Sequence, residues 1–151
     1  MRAADIMLVV ISGLGVIHGL LLAVFLWVYR KGNALSNKLL SALLFVLSLR
    51  VGKSVFLAFT DRIDIKIIFA GLGTIMAIGP LYYLFILSCT RKSFRLATRH
   101  VLHFIPAFIG FGIGLLLEEH HTSTLPLGFF VSIFIFYYLH LLIYLLWSYR
   151  Y

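Results

Sequence analysis

Three polar residues interrupt an apolar run in the stretch LSLRVGKSVFLAF, Leu47 to Phe59: Arg50, Lys53 and Ser54. Their i, i+3, i+4 spacing sets them on one face of a helix. Two cations and a hydroxyl on one face suit the binding of an anion, such as an anionic lipid headgroup or a small carboxylate ligand. The plainer alternative is an arginine tied to carbonyls for packing. At the centre of a membrane helix each charge costs about 2.5–3.5 kcal/mol, and each Leu, Ile, Phe or Val returns about 0.3–0.6. The segment Leu39–Phe59 holds 13 such apolar residues, so gain and cost roughly cancel and Arg50 should face the bundle, not lipid. Placed roughly 15 Å from the outer end of that helix, Arg50 lies near the midplane. No acid is at hand to neutralise it. The candidate partners are His18, at similar depth in the first apolar run, and the hydroxyls of Tyr82 and Tyr83.

Other chemistry is thin. The GKS of Gly52–Ser54 lacks the first glycine of a phosphate loop, since Leu47 stands there. His18 and His140 could ligate a haem, but one histidine per helix is better read as satisfied polar packing. His120 and His121, beside Glu118 and Glu119, are adjacent loop residues and form a poor metal cage. No Asp or Glu falls within an apolar run, and no nucleophile–base set or metal-ligand spacing stands out. Neither an enzyme, a metal nor a cofactor is expected. The single cysteine, Cys89, permits no internal disulfide.

The elements that position these residues follow from composition. Of 151 residues, 62% are hydrophobic and 12% charged, with mean hydropathy +1.06. A soluble domain averages about 45–50% apolar and about 25% charged. The chain reads as one all-α transmembrane domain, residues 1–151, a polytopic helix bundle of about five spans. They run near 6–29, 39–59, 65–89, 101–117 and 125–147. The first apolar run is too long for a signal peptide and reads as a retained span.

A net charge of +8 in a soluble protein would point to nucleic acid, but here the position of the charges matters more than their sum. Eight Lys and Arg fall on one side: Arg30, Lys31, Lys38, Arg91, Lys92, Arg95, Arg99 and Arg150. Three fall on the other: Arg2, Arg62 and Lys66. Basic residues mark the cytoplasmic side, which places the N-terminus outside and the C-terminus in the cytoplasm. Trp27 and Trp147 suit the interfacial belt at the inner ends.

Small residues recur at four-residue spacing: Gly15 and Gly19, Gly73 and Ala77, Gly110 and Gly114. Such pairs let helices approach closely, within the chain or across a homodimer. Gly79 and Pro80 interrupt the third span, as a structural kink or as a hinge that transmits a signal.

Several phrases, in order, resemble one family: ISGLGVIHGLLLAVFLWVYRKGNALSNKLL, LLFVLSLRVGKS, IGPLYYLF, HFIPAF and YLHLLIYLLWSYRY. Together they look like the membrane half of bacterial membrane-anchored AraC-type regulators. In that family a multi-span region precedes a cytoplasmic helix-turn-helix domain that binds DNA. The resemblance implies residence in the bacterial inner membrane and a sensory or scaffold role. A signal from the membrane or outside would reach a cytoplasmic output domain. This sequence reaches Tyr151 just after the fifth span and contains no helix-turn-helix segment, so no DNA binding is expected of the chain itself. The competing expectation is a small integral membrane interaction protein without sensing or catalysis.

Overall fold

The structure is a computed structural model that describes residues 3–59, 65–91, 93–116 and 126–151. Every regular element among these residues is helical. They are α1 (Ala3–Val28), α2 (Ala34–Ala58), α3 (Ile65–Thr90), the single turn α4 (Thr98–Val101), a 3₁₀ turn (Leu102–Phe104), α5 (Ile105–Leu116) and α6 (Leu127–Ser148). Among the described residues four helices are long and apolar enough to cross a membrane: α1, α2, α3 and α6. Their outward faces carry Leu, Ile, Val and Phe, as contact with lipid chains requires.

α2 begins five residues before its expected start at Leu39. Asn33 is the reason. Its Oδ1 accepts from Leu35 N at 3.1 Å and Ser36 N at 3.2 Å, capping two orphan donors. Gly32 adopts φ +79 and turns the chain into this cap. The polar residues that follow are used by neighbours. Ser36 is buried and accepts from Ser88 Oγ at 2.9 Å. Asn37 Nδ2 donates to Tyr29 O and Lys31 O, both at 3.1 Å. The Lys38 ammonium sits over the Trp27 ring at 5.8 Å.

The expected fourth span, 101–117, is not one uniform helix. Pro106 has no N–H to give the Leu102 carbonyl four residues back. That carbonyl accepts from Ile105 N instead, which closes a 3₁₀ turn before α5. α5 itself has 12 residues, about 18 Å of helix. A single proline thus divides the segment into a short entry and a longer helix.

α3 is the central element. It packs on α2, α5 and α6, whereas α1 packs on α2. Two cores lie along it. Leu72 and Met76 meet Ala107 and Tyr137, joining α3 to α5 and α6. Leu81 and Leu84 meet Leu39 and Leu43 of α2, with Phe94 and Phe104 against them. Small hydroxyls and an amide fasten the seams between helices. Ser41 Oγ donates to Ala23 O at 2.6 Å, and Asn33 Nδ2 donates to Ser88 O at 2.8 Å.

The glycines show how close the helices come. A Cβ at Gly19 would collide with Ser48 Oγ, and one at Gly110 would reach the Gly73 Cα at 3.3 Å. Gly19, Gly73 and Gly110 therefore serve contacts inside the chain. Gly15 has nothing within 4 Å of a built Cβ, so the expected Gly15/Gly19 pair divides between packing and open surface.

Candidate functional site

The register of the helices decides which candidate residues meet. Gly19 lies opposite Ser48, and Gly52 opposite Val16, so α1 and α2 are antiparallel with His18 level with Arg50. Lys53 lies opposite Gly71, and Ser36 bonds Ser88, so α2 and α3 are also antiparallel. With α2 starting at Ala34, its middle falls at Val46. Arg50 is therefore about 6 Å from the middle of the helix, toward its C-terminal end.

Arg50 and Lys53 are both half-buried, while Ser54 is exposed. The end of the Lys53 side chain lies across Gly71, where a Cβ would come within 2.6 Å of Lys53 Cε. The missing side chain at Gly71 opens the slot that Lys53 fills. Beside it, Thr74 is buried and donates to Gly71 O at 2.6 Å. Ser54 Oγ donates to Arg50 O at 3.4 Å, so its hydroxyl is turned to its own helix. Among the described residues the Arg50 guanidinium makes no hydrogen bond or ion pair. No acid occurs between Ile65 and Leu117 or between Ile6 and Thr60, so this pair of cations has no carboxylate on α2 or α3.

The remaining candidates separate from this pair. His18 is exposed, and its Nδ1 is 2.9 Å from Leu14 O on its own helix. It shares the level of Arg50 without bonding it. Tyr82 and Tyr83 are corrected more strongly. The α2–α3 register puts them level with Ala42 and Ser41 respectively, roughly 13 Å along the axis from Arg50. Tyr82 packs against the core of Leu39, Leu43, Leu81 and Leu84.

Tyr83 belongs to an aromatic cluster that sequence reading does not assemble. Its ring centroid is 6.0 Å from those of Tyr144 and Trp147, 6.1 Å from His103 and 6.2 Å from Tyr151. His103 Nδ1 lies 2.7 Å from Tyr144 Oη. Three elements and the residues after α6 converge here. The sequence signal is the aromatic spacing of Tyr144, Trp147 and Tyr151, which reads equally well as an interfacial belt.

Gly79 and Pro80 are buried inside a helix that continues unbroken to Thr90. A Cβ at Gly79 would touch Tyr144 at 3.0–3.2 Å. The glycine thus admits the Tyr144 ring against the α3 backbone, and Pro80 leaves the Met76 carbonyl without its usual donor. His140 approaches the same tyrosine, with ring centroids 4.9 Å apart. His18 lies on α1, which packs on α2, and His140 on α6, which packs on α3. The loop residues Glu118, Glu119, His120 and His121, weighed above as a metal cage, lie outside the described residues.

No family model matches the chain, and no curated protein or solved structure matches it either.

Proposed function

We propose that the chain is a membrane-embedded sensory domain. Arg50 and Lys53 receive an anionic group, and α3 passes the effect to α6 and the cytoplasmic side. One observation carries this reading. α3 holds Lys53 at Gly71 on one side and Tyr144 at Gly79 on another, beside Pro80. A ligand that withdraws Lys53 from Gly71 would change the packing of the helix whose glycine notch seats α6. The cations without a carboxylate on α2 or α3 favour an anionic ligand, a lipid headgroup or a small carboxylate.

The resemblance to membrane-anchored AraC-type regulators fits this reading, with the output in a cytoplasmic helix-turn-helix domain of the bacterial inner membrane protein. DNA recognition is not assigned to the 151 residues themselves. The orientation proposed is N-terminus outside and C-terminus inside, with five crossings. α6 runs parallel to α3, since Gly79 meets Tyr144 and Tyr83 meets Trp147. α5 runs antiparallel to α3, since Gly73 meets Gly110 and Tyr83 meets His103. Laid end to end, α4, the 3₁₀ turn and α5 reach about 30 Å, the thickness of the hydrocarbon core. This supports residues 98–116 as the return crossing.

The test uses Trp147 as reporter in a Trp27→Phe background, with octanoate as the carboxylate probe in detergent-solubilised protein. Octanoate should shift Trp147 emission, and Arg50→Gln and Arg50→Met should both abolish the shift while keeping helical content. An unchanged shift in both variants overturns the assignment of the site to Arg50.

A further inference from the structure

We infer that the segment between α3 and α5 forms a second site, for one anionic phospholipid, with its phosphate among Arg91, Arg95 and Arg99 and an acyl chain in the adjoining groove. This site is separate from the Arg50 patch and does not depend on it.

Two adjoining cavities carry the inference. The first, of 330 Å³, is lined by Arg91, Arg95, Arg99, Ser93 and His100 over the edge of α3 at Leu87. The second, of 420 Å³, is mainly apolar, with Leu39, Leu84, Leu96, Val101 and Phe104 in its wall. His100 lines both, so a basic chamber opens beside an apolar one. Both have the size of ligand sites, about 300–1,000 Å³. A headgroup joined to a chain is the ligand chemistry that fills a charged and an apolar cavity together.

The walls are fixed by packing. Phe94 folds onto the Leu39–Leu84 core and lies 5.2 Å from the His100 ring. His100 Nδ1 accepts from Ala97 N at 3.0 Å, which holds the start of α4. The Arg91 guanidinium is held over the Tyr151 ring at 4.6 Å. A guanidinium over an aromatic ring keeps its full charge and its N–H donors, which suit the binding of an oxyanion. No carboxylate occurs from Ile65 to Leu117, so these three arginines have no acidic partner within the elements that form the cavities. Topology alone explains why basic residues stand at this end. It does not explain their convergence on one chamber beside an apolar groove.

The experiment is native mass spectrometry of the full chain with phosphatidylglycerol, phosphatidylcholine and glycerol 3-phosphate offered separately. One phosphatidylglycerol should be retained in preference to phosphatidylcholine, and glycerol 3-phosphate should bind far more weakly. Arg95→Gln/Arg99→Gln should weaken phosphatidylglycerol about 30-fold at low salt, from about fivefold per arginine near an anionic headgroup. Leu96→Ser, at an exposed position, should weaken the lipid and leave glycerol 3-phosphate unchanged. Arg50→Gln should leave phosphatidylglycerol unchanged, which separates this site from the proposed sensory one. Equal retention of both lipids, or equal binding of glycerol 3-phosphate and phosphatidylglycerol, overturns the inference. So does loss of the lipid in Arg50→Gln with retention in the double variant.

Discussion

His103 Nδ1 lies 2.7 Å from Tyr144 Oη, joining the 3₁₀ turn before α5 to the last turns of α6. Tyr144 is buried against Gly79 of α3, so one hydroxyl ties the return segment to the α3–α6 pair. Tyr144→Phe keeps the ring in place and removes the bond. It should lower stability by about 0.6 kcal/mol, the average for hydrogen bonds between membrane helices, and by no more than about 1.7 kcal/mol. Tyr138→Phe, at an exposed position of the same helix, should leave the unfolding midpoint in detergent unchanged.

The small-residue positions should separate in the same assay. Gly73→Val places its Cβ 2.7 Å from Phe111 Cδ2, on the face where Gly110 comes against the same backbone. Overpacking of this kind costs about 1–3 kcal/mol. Gly15→Ala has open space around it, and should leave stability unchanged or raise it by up to about 1 kcal/mol through helix propensity. A loss at Gly15 as large as that at Gly73 would mean that Gly15 is covered by a second copy.

Helices α1, α2, α3 and α6 are legible in the sequence because lipid demands long apolar runs. The start of α2 is not, because Ser36, Asn37 and Lys38 read as loop until Ser88, Tyr29 and Trp27 supply their partners. Arg50 and Lys53 can be picked out by charge, but Gly71 cannot, since its role is to make room for Lys53. The need of a buried cation for a hydroxyl partner is what groups Tyr83 with Arg50 in the sequence. Its actual neighbours depend on which way α6 runs along α3, and no local pattern encodes that.

Pro80→Ala restores a donor for the Met76 carbonyl. If α3 relays the state of Arg50, the fully bonded helix should keep its fold and lose the Trp147 emission response to octanoate. A full response in folded Pro80→Ala would leave the proline as a packing feature and remove it from the relay.

Cysteine labelling in intact cells tests the crossings. Cys89 is exposed and free, so Cys89→Ser provides the background. Asn33 is a poor probe position because it caps α2 and bonds Ser88 O. Ala34 and Ser93 are exposed and serve instead. Ala34→Cys and Ser93→Cys should be shielded from a membrane-impermeant maleimide until the cells are permeabilised. Thr122→Cys, outside the described residues, should react at once. The expectation rests on the eight-to-three division of basic residues and on the parallel course of α3 and α6. Labelling of Ala34 and Ser93 from outside would invert the orientation. Labelling of Ser93 and Thr122 from the same side would show that residues 98–116 do not cross, and α6 would then have to reach its place beside α3 from the side on which α3 ends.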